Sequence, residues 1–419
     1  MAYTGATTGF AAGAETNDSA VDYALETIYN QPPTGAYQAL RYTGFSLAVN
    51  ETETQPDEIN DTPEMAQSVL IGRTAQGDTS GILSAITYDD FLSGVMTADW
   101  SVISQAATSS VTISIASRDQ FQAGNDTISA KDSTGIVDVF SEIVSGDIVS
   151  ISDPSVGISA SYAVTKISGG VIYFSPGTFD GILDKIATLS GEAGGTSGNL
   201  GTGAIVSCTF LKNGKIGKSF TFRKKLNSKL EMYSGTMVNQ AQITLQKGQP
   251  ATISFDLVGS DLIVSDTDIA SSVTPRTTTP LIDTVTGFLG CSIFGTTPSG
   301  CIQSATITLS RDGSGQDTGM GHVGACGIRF GSFKAAMEIT YLFRDYQQFT
   351  DWKNGKTGPV TVGVQGSDGI GYQFNVLNGI IRNPKTPISG KNQTVVATVS
   401  ITANPISGGG TFAIYKTKN

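Results

Sequence analysis

Apolar side chains recur at every second position in segment after segment of this chain. In T-I-S-F-D-L-V-G they are Ile253, Phe255 and Leu257; in V-A-T-V-S-I-T-A they are Ala397, Val399 and Ile401. Alternation of period two turns one face of a strand toward a core and the other toward water. Few segments carry a 3.6-residue apolar pattern beyond two or three turns. Gly reaches 50 residues, Ser and Thr are plentiful, and charged residues make up only 15 %. That mixture suits short strands and frequent turns better than long helices. A length of 419 residues is too great for one ordinary core and implies two or three domains. The expected fold class is mainly β.

The two alternating segments close longer stretches, Gly235 to Gly259 and Gly379 to Ala403. Overlaid without gaps, they match Gly235 with Gly379, Asn239 with Asn383 and Gln249 with Gln393. Three identities carry little weight, but the order of elements before them adds more. A strand from Gln38 to Val49 precedes an acidic loop, Asn50 to Glu64. Gly81 to Tyr88 then reads as a strand, and Asp89 or Asp90 starts a short helix. In the second half, a strand from Ile302 to Leu309 precedes a Gly-rich loop, Ser310 to Gly327. Phe333 to Gly355 is a strand leading into a short helix, with Asp345 as its cap and Gly355 as its end. The same order occurring twice points to duplication.

Five regions follow. Residues 1–35 form an arm, with a short helix expected over Ala20 to Tyr29 because Val21, Leu25 and Ile28 share a helical face; Pro32-Pro33 ends it. Residues 36–100 and 205–265 form a first, discontinuous unit. Residues 101–204 hold short alternating strands (Val111 to Ala116, Gly146 to Ser152, Ser161 to Ile167, Gly170 to Phe174) and read as a small inserted β-barrel. That insert ends in the Gly-rich linker Gly191 to Gly203. Residues 266–405 form the second unit, and 406–419 a C-terminal tail.

The net charge of −10 disfavours broad binding of phosphates. One dense basic run exists, Lys212 to Lys225. Cys208, Cys291, Cys301 and Cys326 show neither C-x-x-C nor zinc-ligand spacing and read as reduced thiols; a Cys291–Cys301 bridge is thinkable but not required. No signal peptide and no apolar run of membrane-spanning length are evident, so no membrane insertion is expected. The one histidine, His322, lies in the Gly-rich loop with no nucleophile elbow beside it. The pair Asp89-Asp90 fits glycosidase chemistry only in a cleft, and acids at a helix start are more often caps. No enzyme reading has a positive feature, and no cofactor or metal is implied.

The run L-R-Y-T-G-F-S-L-A-V-N-E-T-E-T-Q-P-D-E-I (Leu40 to Ile59) and I-T-Y-D-D-F-L (Ile86 to Leu92) resemble tail tube proteins of long-tailed, non-contractile bacteriophages. Y-A-L-E-T-I-Y-N-Q-P-P-T-G (Tyr23 to Gly35), S-F-T-F-R-K-K-L (Ser219 to Leu226) and Y-S-G-T-M-V-N (Tyr233 to Asn239) extend the resemblance over most of the chain. It implies two tandem β-sandwich or barrel units, each with a flanking helix, and an inserted β-barrel as decoration. It also implies a structural virion protein, made in the host cytoplasm, that stacks in rings around a channel. DNA would pass without sequence-specific binding. Three two-unit chains would fill a ring that six single-unit chains fill elsewhere. The partners implied are further copies of the chain and a tape measure protein, a tail terminator and a distal tail protein. Ring-to-ring contacts are expected from Glu51, Glu53, Asp57, Glu58 and Asp61 in one loop and Arg311, Asp312, Asp317 and His322 in the other. The alternatives are a carbohydrate-binding or adhesive β-protein of a phage tail or cell surface, with the insert as its binding module, and, with least support, an enzyme such as a glycosidase or peptidase.

Overall fold

The computed structural model describes residues 15–417 apart from 58, 60, 62–63, 118–124, 141–142, 144–146, 191–196, 228, 389 and 408–409. The fold is mainly β, with short helices set against large sheets.

The arm departs from expectation at once. Ala20–Leu25 is not a helix but a strand, β1. A helical face of Val21, Leu25 and Ile28 would need all three buried, yet Leu25 and Ile28 are 48 % and 59 % exposed. Val21 and Tyr23, two apart, are the buried pair. Tyr23 packs 4.5 Å from the Phe91 ring. The expected strand from Gln38 to Val49 breaks into Ala36–Ala39, Gly44–Phe45 and β2, Ala48–Thr54. Its hairpin partner β3, Val69–Ile82, begins well before the Gly81 start read from the sequence. Helix α1, Asp89–Met96, ends at Thr97 in the left-handed conformation.

Inside the insert, Thr112–Ala116, Asp126–Asp132, Lys166–Ser168, Val171–Phe174 and Ser197–Asn199 form a sheet of their own. Ile148–Asp153 and Ile158–Ala163 pair instead with each other and with Ile205–Lys212. Helix α2, Asp180–Ser190, went unread in the sequence; Ile182 and Leu183 seat it on the insert core. Part of the expected linker, 191–196, lies outside the described residues. Ser197–Asn199 within it is an ordered strand.

The chain then returns as β4, Phe220–Leu226; β5, Lys229–Gln246; and β6, Thr252–Gly259. The second half comprises β7, Phe288–Ile293; β8, Ile302–Asp312; β9, Ser332–Leu342; α3, Gln347–Lys353; β10, Thr357–Gln365; β11, Gly371–Lys385; and β12, Val396–Ala403. The segment read as a tail holds a buried strand, Phe412–Lys416, paired with both Ile205–Lys212 and β11. All four thiols are free, with Cys208 and Cys291 buried and Cys301 and Cys326 exposed.

The halves follow one pairing scheme. In the first, β1 pairs with β4, β4 with β5, β5 with β6, β6 with β3 and β3 with β2. In the second, β7 pairs with β10, β10 with β11, β11 with β12, β12 with β9 and β9 with β8. All are antiparallel. β1, expected to stand outside the first unit as an arm, thus occupies the place that β7 holds in the second half. The halves meet where β5 pairs with β8, giving one sheet in the order β2-β3-β6-β5-β8-β9-β12-β11. One buried apolar cluster runs under both halves, and a second joins the insert to Phe412–Lys416.

The pairings also correct the gapless overlay. Leu257 faces Val238, and Ile401 faces Ile381. Since Leu257 and Ile401 are counterparts, Val238 corresponds to Ile381 and not to Arg382. The connection into β12 carries one residue more than that into β6. Of the three identities, Gly235/Gly379 and Asn239/Asn383 therefore fall out of register.

Candidate assembly surfaces

Alternation gives the shared sheet two unlike faces. On β8, Ala305, Ile307 and Leu309 are buried, while Ser304, Thr306, Thr308 and Ser310 stand half-exposed on the other side. β9 buries Ala335, Met337, Ile339 and Tyr341; β12 buries Ala397, Val399 and Ile401 and presents Thr398, Ser400 and Thr402. β5 presents Gln240, Gln242 and Thr244 on the same side. The result is a broad face of hydroxyls and amides. Its charges include Arg382 and Lys385 at the β11 edge, opposite Ser400 and Thr398. Asp78 stands directly opposite Asp256, and Glu338 lies opposite Ser400. Lys334 is paired with Asp312 at 2.7 Å. This face escaped the sequence reading, although the even-numbered Ser, Thr and Gln positions of β5 and β8 carried its signal. A one-residue register error would have turned every one of them to the other side.

The described residues of the two long loops are held differently. Glu51 lies in β2 and pairs with Arg73 at 2.8 Å; Glu53 is exposed on the same strand. Asp57 and Asp61 are exposed, whereas Glu58 lies outside the described residues. In the second loop, Gly315–Asp317 pairs with Gly327–Arg329 as a small hairpin, with Asp317 held by Arg329 at 2.9 Å. This loop folds back over the first half: the Arg73 N–H donates to Val323 O at 2.8 Å, and the Gln316 amide donates to Gly259 O. His322 is exposed beside Met320, which is fully exposed.

Arg311 takes a different place from the other expected contact residues. It is buried, and its guanidinium donates to Val95 O at 2.8 Å and to the Thr97 hydroxyl. It thereby closes the C-terminal end of α1, where free carbonyls and the helix dipole favour a cation. Burial pulls its guanidinium down to about 10. Asp89 and Asp90 are likewise engaged within the chain. Asp89 accepts from the Tyr372 hydroxyl at 2.6 Å and from Lys416 at 2.7 Å; Asp90 accepts from the Tyr23 hydroxyl at 2.9 Å. Burial first, then the neighbouring carboxylate, pushes the Tyr372 and Tyr23 hydroxyls up. Both acids hold α1 against the frame.

Among the described residues no helix is long and apolar enough to cross a membrane, and no group of His, Cys, Asp and Glu is arranged to hold a metal ion. No curated protein matches the chain. A sequence profile built on phage tail tube proteins matches residues 16–403, reaching from just before β1 to the end of β12. A β frame with one apolar and one hydroxyl-rich face, matched over nearly its whole length by that profile, belongs to the phage tail tube protein family.

Proposed function

We propose that this chain is the duplicated tail tube subunit of a siphophage, and that three copies close a pseudo-sixfold ring. The observation that carries this reading is the shared sheet, in which both halves place their apolar faces on one side and their hydroxyl and amide faces on the other. Wrapped into a ring, that second face lines a channel. Phosphates passing it meet mostly neutral hydroxyls and amides, and Asp78, Asp256 and Glu338 offset the cations Arg382 and Lys385 at its β11 edge. Closure also removes open sheet edges. DNA then passes from capsid to host without sequence-specific binding. A tape measure protein, a tail terminator and a distal tail protein are the further partners of such a tube.

The loop tips suit ring-to-ring contact. Ile59 in one and Met320 in the other are fully exposed hydrophobes. A neighbouring ring would cover them. The glycan-binding reading would need exposed aromatics on the insert. There Phe174 is buried, and Tyr162 packs edge-on against Phe174 and Phe179.

Electron microscopy of purified protein tests the reading. Hollow tubes whose rings hold three chains and show six inner lobes are expected. Rings of six full chains overturn the stoichiometry, and monomers at every concentration overturn the function.

A further inference from the structure

Three distant parts of the chain meet at the carboxylate of Asp89. Asp89 opens α1, Tyr372 lies at the start of β11, and Lys416 ends the last strand. Tyr372 and Lys416 are direct cross-strand partners, so their side chains leave the sheet on the same side. There the Tyr372 hydroxyl donates to Asp89 Oδ1 at 2.6 Å, and Lys416 Nζ stands 2.7 Å from Oδ2. Trp100 covers the ammonium: its ring centroid is 4.6 Å from Nζ, and its Nε1–H donates to Asp89 O at 3.2 Å. The Lys416 and Asp89 side chains are 19 % and 13 % exposed. The pairs Lys229–Asp266 and Lys334–Asp312, by contrast, are more than half exposed on both partners.

Backbone strain singles this pair out. Ile86 has φ 72°, a left-handed conformation that a β-branched residue adopts only under constraint. Its side chain gains no burial from the turn, being 49 % exposed. What the turn delivers is an N–H, donated to the Tyr372 oxygen at 2.8 Å. A relay therefore runs from the Ile86 N–H through the Tyr372 O–H to Asp89 Oδ1. Burial keeps the proton on Tyr372, so this hydroxyl stays a donor. A salt bridge needs no relay at the oxygen its cation does not touch. A carboxyl carbon under attack does, because that oxygen must then carry the charge.

We propose that Lys416 Nζ and Asp89 Cγ join in an isopeptide bond once the chain has folded. One proton passes from Nζ to Oδ2, turning the ion pair into a neutral amine and a neutral acid. A site this dry favours that exchange, because each charge held there lacks its water. The Nζ lone pair then attacks Cγ, and the C=O electron pair moves to Oδ1, where the Tyr372 O–H holds the oxyanion. A second proton leaves Nζ for Oδ2, the Cγ–Oδ2 bond breaks, and water departs past the partly exposed Lys416 stem. The C=O re-forms on Oδ1, and Nζ keeps one hydrogen as an amide. An ammonium and a carboxylate have become an amide and a water, with no co-reactant. Lys416 is the nucleophile, Asp89 the electrophile and Tyr372 the oxyanion donor; Ile86 is a positioning residue. The bond closes a covalent loop from Asp89 to Lys416 that holds the insert and the whole second half. It fixes the last strand in its slot between β11 and Ile205–Lys212. Like any long covalent loop, it stabilises mainly by restricting the unfolded chain.

Mass spectrometry of the full chain tests the bond, whatever the chain assembles into. Protein that has folded and is then denatured should be one water lighter than its sequence requires. Trypsin should leave a branched peptide joining residues 74–118 to 392–418, because it does not cleave after an acylated lysine. Lys416→Arg keeps a cation beside Asp89 but removes the nucleophilic amine. That chain should show its full mass and unfold at lower urea. Asp89→Asn should form the same bond with loss of ammonia in place of water, an outcome no ion pair imitates. Tyr372→Phe should slow bond formation by about a hundredfold in freshly refolded protein. Folded wild-type protein at full mass, with 74–118 and 392–416 recovered as separate peptides, overturns the proposal. So does a loss of water confined to one unbranched peptide, or a branch between Lys212 and Asp147, where Tyr415 completes a similar set. Bond formation at wild-type speed in Tyr372→Phe overturns the role of the hydroxyl.

Discussion

Arg223 shows how a residue's surroundings can reverse its apparent role. It sits in the chain's one dense basic run, which suggests a solvated cationic patch. Instead it is buried, its fork donating to Asp22 at 2.6 and 2.8 Å and to Asp268 at 2.5 Å, with its guanidinium 3.8 Å from the Tyr37 ring centroid. It fastens β4 to β1 and to the segment after β6. Replacing one partner of a buried pair leaves the other charge desolvated and alone, at a cost of about 3–5 kcal/mol. Arg223→Met should therefore lower subunit stability by about that amount in urea unfolding, and adding Asp22→Asn should restore part of the loss. A change below about 1 kcal/mol would mean that the pair is solvated in solution. Nothing in the local sequence announces this site, because Asp22 lies some two hundred residues before its partner.

At the scale of elements, alternation was the dependable guide. β6, β8 and β12 each bury every second residue, as Phe255, Ile307 and Val399 indicate. The short helices α1 and α3 were also legible, although Tyr346 and not Asp345 is the N-cap of α3; Asp345, one residue earlier, accepts the Gln347 N–H at 2.9 Å. The segment holding β1 was not legible, because Val21, Tyr23 and Leu25 fit a period of two while Val21, Leu25 and Ile28 fit a helix. Ten residues cannot separate the two periods; the waiting edge of β4 does. The assembly surfaces were partly legible. Loop positions could be read, but Arg311 looked like a loop residue until β8 was seen to run through it. Deleting Gln55 to Thr62 should leave β2 and β3 paired and the subunit as stable as before within about 0.5 kcal/mol. The same deletion should abolish tube growth, read by light scattering. Normal tubes from that variant would show that this loop joins nothing.

For the whole molecule, the division of faces matters more than any single residue. A channel wall made mostly of Ser, Thr and Gln holds water and offers phosphates few partners, with Arg382 and Lys385 confined to its β11 edge. Thr306→Lys with Thr398→Lys adds cations to that wall at every ring. Phage carrying both should eject DNA several-fold more slowly at low ionic strength, with the delay shrinking as salt rises. Thr134→Lys, on an exposed turn of the insert, should leave ejection unchanged. Equal ejection rates for all three phages would place the polar face somewhere other than the lumen.

The strand Phe412–Lys416 sets an order in time. It pairs with β11 on one side and with the strand returning from the insert on the other, and the Tyr415 hydroxyl reaches Asp147 across 268 residues of sequence. Contacts that distant form late, since the intervening chain must first be made and closed into a loop. Until residue 416 has left the ribosome, neither the insert core nor the far side of β11 is complete. A nascent chain therefore presents no finished seam to a growing ring, and the subunit becomes competent to join only once this strand is in place.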